Sequence, residues 1–181
     1  MKTRAKGQYL IEFATEADLV ELKALIESAY RGESAKAGWT HEADLLDGFR
    51  LEGDALQKVL MDENARIFVA RDKVTNKIEG TICIELGEDG VEFGKFAVNP
   101  NIQAGGIGKL LLGYAEEFAK SEWQQNTMKL SVITIRTELI DYYIRRGYRP
   151  TGKLIAMQDI HSGETWTKGH DLMLEIYEKQ L

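Results

Sequence analysis

The order of elements predicts a mixed α/β domain, a largely antiparallel sheet with helices on its faces. Three observations carry that reading. Between residues 65 and 98, three runs rich in β-branched and aromatic residues follow one another across short turn signals, as an antiparallel meander does. From Gly105 onward, helical and strand patterns alternate. No repeat, low-complexity tract or Pro/Ser-rich linker interrupts the 181 residues, so one domain spanning 1–181 is expected.

The run QYLIEF (8–13) is the first strand. Thr15 then caps a helix with Asp18 at the capping-box position, and Leu19, Leu22, Ala24, Leu25, Ile26 and Ala29 form its apolar side. The segment 31–63 opens as a loop. Thr40 is its N-cap, Glu42 and Asp44 suit the positive end of a helix dipole, and Gly48 and Gly53 divide it into two short helices. It carries eight acids against four bases, which fits either a solvated face or a mouth that attracts a cationic substrate. Strands are expected over 65–72, 77–86 and 91–98. A helix follows, with Ile107, Leu110, Leu111, Tyr114, Ala115 and Phe118 as its buried stripe. After it come a strand over 128–135, a helix over 137–147 closed by a glycine cap, and two last strands over 153–160 and 171–179. The order is βαα-βββ-α-β-α-ββ.

Composition narrows the function. An apolar fraction of 44% and a charged fraction of 29% are those of a soluble globular protein. A formal charge of -6 argues against general affinity for nucleic-acid phosphate or anionic lipid. No window approaches the ~18 apolar residues of a membrane span, and the N-terminus has no apolar signal core, so a cytoplasmic protein is expected. Cys83 is the sole cysteine; it sits in the alternating run GTICIEL and reads as a core thiol in a reducing compartment. His41, His161 and His170 show no compact metal-ligand spacing, so no metal is expected. Ser131 and Ser162 lack a nucleophile elbow or a neighbouring base.

The stretch NPNIQAGGIGKLLLGYAEEFA places Gly105, Gly106 and Gly108 directly before a helix. A helix N-terminus offers unpaired N–H groups and partial positive charge, which together bind phosphate. Glycine removes the Cβ that would keep an anion from the amides and permits positive φ. The stretch is therefore built to hold an anionic group such as a pyrophosphate. Two common phosphate loops are excluded by spacing. Lys109 is followed by Leu110 rather than Ser or Thr, and Gly106-x-Gly108 is followed by Leu111 rather than a third glycine.

The longer stretch VEFGKFAVNPNIQAGGIGKLL resembles the acetyl-CoA signature of the GNAT superfamily of N-acyltransferases. In that signature a strand and Val-x-Pro lead to Gln/Arg-x-x-Gly-x-Gly/Ala at the start of a helix. Val98, Pro100, Gln103, Gly106 and Gly108 match it. A second element, YIRRGY from Tyr143 to Tyr148, is similar to the family's helix with a tyrosine four residues before Gly-Tyr/Phe. The resemblance implies the GNAT fold, a mixed, mostly antiparallel, seven-stranded sheet flanked by about four to five helices. It implies acetyl-CoA as cofactor and coenzyme A as product. Its cofactor contacts would fall on Phe96, Ala97, Val98, Gln103, Ala104, Gly105, Gly106, Ile107, Gly108, Lys109, Arg136 and Tyr143. Two positions depart from the pattern: Gly105 stands where the family often has Arg or Lys, and Arg136 where it commonly has Asn.

Acyl transfer to an amine needs a deprotonated amine, whose reference pKa is ~10.4, stabilisation of the developing oxyanion, and a hydrogen-bond donor for the leaving thiolate. The resemblance implies that backbone N–H groups near Val98, exposed where two strands splay apart, serve the oxyanion. It gives Tyr143 the leaving group, with Tyr142 as rival, since adjacent helix residues point about 100° apart. The resemblance also implies Glu92, six residues before Val98, as the base, with a water chain as the alternative, and strand alternation puts Glu92, Gly94, Phe96 and Val98 on one face. The resemblance implies an acceptor pocket around Tyr30, Glu33, Trp39 and Glu42, with Trp166 as a further wall. The expected activity is acetyl transfer to a primary amine of a small molecule, by direct attack through a tetrahedral intermediate. The other readings are a non-catalytic acyl-CoA-binding or sensor module and a protein N-acetyltransferase. Dimerisation is common in the superfamily, so a homodimer is compatible with the chain.

Overall fold

Period-two burial builds the sheet. In the strand Ala65–Asp72, Ile67 and Val69 face one layer while Phe68 and Ala70 face the other, all nearly inaccessible. The computed structural model describes residues 4–30, 44–45, 51, 54–102, 105–160 and 172–181. In chain order these form β1 (Arg4–Lys6), β2 (Tyr9–Phe13), α1 (Leu19–Tyr30), α2 (Ala55–Met61), β3 (Ala65–Asp72), β4 (Ile78–Gly87), β5 (Gly90–Val98), α3 (Ile107–Ser121), β6 (Thr127–Ile133), α4 (Thr137–Ile144), β7 (Arg149–Ala156), a single turn α5 (Met157–Ile160) and β8 (Met173–Gln180). Short 3-10 turns at Glu16–Asp18 and Pro100–Ile102 precede α1 and α3.

The strands lie in the order β1-β2-β3-β4-β5-β6-β8-β7. Every described neighbour pair is antiparallel except β5 and β6, which run parallel. The seven expected strands are present, and the three-residue β1 extends the edge beyond them. α3 packs Leu111, Leu112, Tyr114, Ala115 and Phe118 on one face, against Ile11, Phe68, Ile82 and Ile84. α1 packs Leu22, Leu25, Ile26 and Ala29 on the other, against Ile67, Val69, Cys83 and Ala97. Each large apolar side chain buried this way contributes about 1.5–3 kcal/mol, so both helices are held firmly to the sheet.

The entry to α1 follows the expected capping box. The Thr15 amide donates to the Asp18 carboxylate at 2.8 Å, and the Thr15 hydroxyl does so at 2.9 Å. Arg71 of β3 then ties Asp18 at 2.7 Å and Glu12 at 2.6 Å, and the Ile78 amide donates to Glu21 at 2.8 Å. The helix is thereby pinned to three strands at its N-terminal end.

Several expected boundaries move. β6 ends at Ile133, two residues early, where Arg136 turns the chain into α4. α4 ends at Ile144, with a last helical bond from the Arg145 amide to the Asp141 carbonyl at 3.1 Å; Gly147, at φ +95°, closes the turn, as a glycine cap should. The strand expected over 153–160 instead occupies Arg149–Ala156, and Met157 begins a helical turn that buries its side chain with Ile133, Leu172 and Leu174. The expected Thr40 cap and the break at Gly48 lie outside the described residues.

One correction bears on the site. β5 does not alternate along its whole length. Cys83 pairs with Gly94, but Thr81 pairs with Ala97, so β5 carries one extra residue at Lys95–Phe96. Lys95 adopts φ +47°, the left-handed conformation of such a bulge. Side-chain parity inverts there. Phe96 and Val98 join Phe93 on the α3 face, while Ala97 packs with Cys83 on the α1 face. Glu92 and Gly94 therefore do not share a face with Phe96 and Val98.

Candidate active site

Parallel pairing between β5 and β6 is confined to Val91 with Met128 and Glu92 with Lys129. Beyond Glu92 the two strands diverge, and a cavity of about 330 Å³ fills the gap. Its walls include Glu92 to Phe96 from β5, Leu130 to Ile133 from β6, Arg136 and Tyr143 from the α4 region, and Tyr30 from the end of α1. The V-shaped opening that the family resemblance implies is thus a consequence of the bulge and the short ladder.

Tyr143 is 5% exposed, and its ring sits at 5.7 Å from that of Phe93 and 5.9 Å from that of Tyr148. Burial pushes its phenol well above the ordinary 10; Tyr30 and Tyr142 add to the rise, and Arg136 opposes it. The hydroxyl holds its proton at any pH the protein meets. Tyr142 is not among the cavity walls. Its hydroxyl stands beside α3, 3.3 Å from where a Cβ on Gly108 would be, and its ring carries the Arg146 guanidinium at 4.6 Å.

Glu92 stands at the cavity rim, still reached by solvent. Its carboxyl lies above the ordinary 4.5: the wall beside it desolvates the charge, and Glu85, directly opposite in the strand pair, repels it, against the pull of Lys129, Lys95 and Lys153. Glu85 is itself paired with Lys95 at 3.1 Å. Tyr30 lines the cavity and donates its hydroxyl proton to the Phe96 carbonyl at 2.6 Å.

The loop before α3 meets the expectation of bare backbone in part. Gly106 is the N-cap, at φ +82° with open space where a Cβ would point and no capping side chain. The first intrahelical bond runs from Leu110 to the Gly106 carbonyl at 3.0 Å, so the amides of Ile107, Gly108 and Lys109 have no acceptor inside the helix. Gly108 serves another need than phosphate access: a Cβ there would sit 3.3 Å from the Tyr142 hydroxyl and 3.4 Å from the Phe96 ring. Its bareness lets α3 approach β5 and α4. Lys109 is exposed on the first turn, and Gly105 donates to the Ile102 carbonyl at 3.3 Å.

The structure brings Tyr143, Glu92, Phe96, Arg136 and Tyr30 to one cavity. It leaves Ala97 in the α1 core. Gln103, Ala104, Glu33, Trp39, Glu42 and Trp166 lie outside the described residues, as do all three histidines and Ser162. Cys83 is buried, and burial pushes its thiol up to about 12, so it is a core thiol. Sequence reasoning missed Glu85, Lys95, Ser131 and Met157 as walls. The pairing of Glu85 with Glu92 had a signal: the two-residue turn between Gly87 and Gly90 fixes that register. An open glycine N-cap beside a cavity holding a buried hydroxyl fits a coenzyme with a diphosphate at one end and a thioester at the other.

The comparisons agree. Residues 63–150 match the family model of the acetyltransferase (GNAT) domain. No curated protein matches the chain in sequence. Among solved structures, spermidine N-acetyltransferase from Vibrio cholerae in complex with CoA and spermine is similar over 96% of this chain and 95% of its own, with 16% identity and a TM-score of 0.69. Ribosomal-protein-alanine N-acetyltransferase from Brucella melitensis is similar over 94% of this chain and 99% of its own, with 22% identity and a TM-score of 0.69. A putative streptothricin acetyltransferase from Bacillus anthracis, in complex with acetyl coenzyme A, covers 75% of this chain and 73% of its own, with 16% identity and a TM-score of 0.59. At these identities the likeness is one of fold. The family model spans the sheet centre and the loop before α3, and the fold around it is shared almost end to end with these acetyltransferases.

Proposed function

We propose that the protein acetylates a primary amine of a small molecule. The observation that carries this reading is Tyr143, a residue only 5% exposed, set in the wall of the cavity between β5 and β6 with its hydroxyl tied by no side-chain hydrogen bond among the described residues. A packing tyrosine would find a partner for its hydroxyl. A cavity of about 330 Å³ suits a small acceptor.

Acetyl-CoA supplies an activated acetyl thioester. Its diphosphate end would be held by the amides of Ile107, Gly108 and Lys109, and the main chain of β5 beyond Glu92 would orient its acyl end. Tyr143 keeps its Oη proton and donates it in a hydrogen bond to the leaving group. Because the phenol is so reluctant to ionise, this hydrogen bond, rather than complete loss of the proton, is its contribution. Glu92 takes the proton that the incoming ammonium must shed, directly or through water. Its raised pKa moves it toward the range in which a base is effective. Arg136 lies in the same wall, near the Tyr143 hydroxyl, and would meet the polar part of the coenzyme arm.

The test is thiol release from acetyl-CoA against a panel of amines: polyamines, amino acids, aminoglycosides and peptides with N-terminal alanine. The expected result is acceptor-dependent release with a small amine. Release only with peptides favours the protein acceptor that the Brucella relative's name describes. Tight coenzyme A binding with no acceptor-dependent release makes the chain a sensor or binding module.

A further inference from the structure

The bulge in β5 leaves Lys95 and Phe96 without partners in the β4 register, since pairing passes from Gly94 directly to Ala97. The Phe96 carbonyl belongs to this stretch without register partners, beyond the reach of the short β6 ladder as well, and a polar main-chain group in a packed cleft needs a partner. It has one in the Tyr30 hydroxyl, at 2.6 Å. Tyr30 is the last residue of α1, and the rest of that helix is fixed by Leu22, Leu25, Ile26 and Ala29 in the core and by Arg71 and Ile78 at its other end. The hydroxyl therefore ties a rigid helix to the one stretch of β5 that neither β4 nor β6 holds.

A peptide unit is planar, so the Phe96 carbonyl and the Ala97 amide turn together. Fixing the carbonyl fixes the plane, and with it the direction in which the chain continues to Val98. We infer that Tyr30 is a positioning residue for acetyl transfer: its hydroxyl holds the bulge and so aims the main-chain edge from Phe96 to Val98 at the acyl group. This rests on the acetyltransferase reading above and assigns Tyr30 a role other than contact with the acceptor. Displacement of a reacting group by about 1 Å costs up to about a hundredfold in rate, and the loss falls on turnover rather than on coenzyme affinity.

The test compares wild type with Tyr30→Phe and with Tyr177→Phe. The last loses a hydroxyl bonded to Glu175 at 3.2 Å on β8, a strand that β6 separates from β5. Steady-state kinetics, thermal melts and hydrogen exchange of the peptide covering residues 94–99 are measured on each. Tyr30→Phe is expected to lower kcat about ten- to a hundredfold, with KM for acetyl-CoA changed by less than about threefold. Exchange should accelerate in residues 94–99 and not in β3. Tyr177→Phe should leave kcat and that exchange within about twofold of wild type. A Tyr30→Phe enzyme within about twofold of wild-type kcat overturns the inference. So does a fall in kcat with unaltered exchange, because the hydroxyl would then act on the substrate itself. Should wild type neither bind coenzyme A nor release thiol, the acetyltransferase reading fails instead, and the exchange comparison still decides whether the tie exists.

Discussion

Replacing Tyr143 by Phe isolates one hydroxyl. The ring contacts at 5.3 Å to Tyr142, 5.7 Å to Phe93 and 5.9 Å to Tyr148 are kept, and no side-chain hydrogen bond within the described fold is lost. Folding stability should change by less than about 1 kcal/mol, the net worth of a typical hydrogen bond. Catalysis should change far more. A hydrogen bond to a group acquiring negative charge is worth about 1.5–3 kcal/mol, which corresponds to about a ten- to a hundredfold loss in kcat. The pH dependence sharpens the test. Burial holds the phenol well above 10, so Tyr143 is protonated across the assay range and the ratio of wild-type to variant kcat should be constant with pH. Acceptor-dependent thiol release, followed alongside a thermal melt, measures both quantities. Two results would refute the reasoning: a kcat within about twofold of wild type at equal stability, or a ratio that varies with pH.

Glu85→Gln removes the carboxylate that raises the Glu92 pKa, so the acid limb of the kcat–pH profile should move to lower pH; Glu92→Gln should abolish that limb, and an unmoved limb in both variants removes Glu92 from the base role. Glu92 also carries a linkage consequence. A carboxyl with a raised folded pKa contributes stability that is lost as pH rises through that pKa, so Glu92→Gln should melt no lower than wild type at pH 7. Asp18→Ala breaks the contact to Arg71 at 2.7 Å and the Thr15 cap, and should cost about 1–3 kcal/mol by denaturant unfolding. Burial opposes the Asp18 charge, but the Thr15 and Arg71 bonds outweigh it and hold the carboxyl below 3.8. The deficit should therefore be full at neutral pH and shrink as pH falls through that lowered pKa. Gly108→Val places a branched side chain where even a Cβ meets Tyr142 at 3.3 Å and Phe96 at 3.4 Å, so calorimetry should show weakened coenzyme A binding, with Gly108→Ala affected less.

The fold was legible because burial in it is periodic. β3 was read to the residue and the rest of the meander to within one residue at each start, and α3 was found from its stripe, since their apolar alternation and stripe are long. The reading failed where tertiary contact overrides local pattern. Met157 belongs to an apolar run that could extend a strand, but its burial with Leu174 and Ile133 turns the chain into α5. The open N-cap of α3 was legible because glycine at a helix start has a backbone meaning that survives without knowledge of neighbours. The cavity walls were not, because they depend on a parity inversion. Nothing in VEFGKFAV announces that Lys95 takes φ +47°, and one such residue exchanges the two faces of everything after it.

The cleft has a main-chain side and a side-chain side. The side proposed to hold the coenzyme is made largely of main chain: the Gly106 cap, the first-turn amides of α3 and the diverging edge of β5. Main-chain groups tolerate sequence change, and chains sharing as little as 14% identity with this one keep the same fold. The acceptor side is made of side chains. Among the described walls Glu85 and Glu92 are balanced by Lys95 and Arg136, so these four groups alone set no strong preference for charge. If the acidic excess of residues 31–63 is the mouth that attracts a cationic acceptor, it adds charge selectivity toward an amine. Charge reversal within that segment should therefore raise acceptor KM while leaving coenzyme A affinity unchanged, and equal effects on both would mean that the two sides of the cleft are not independent.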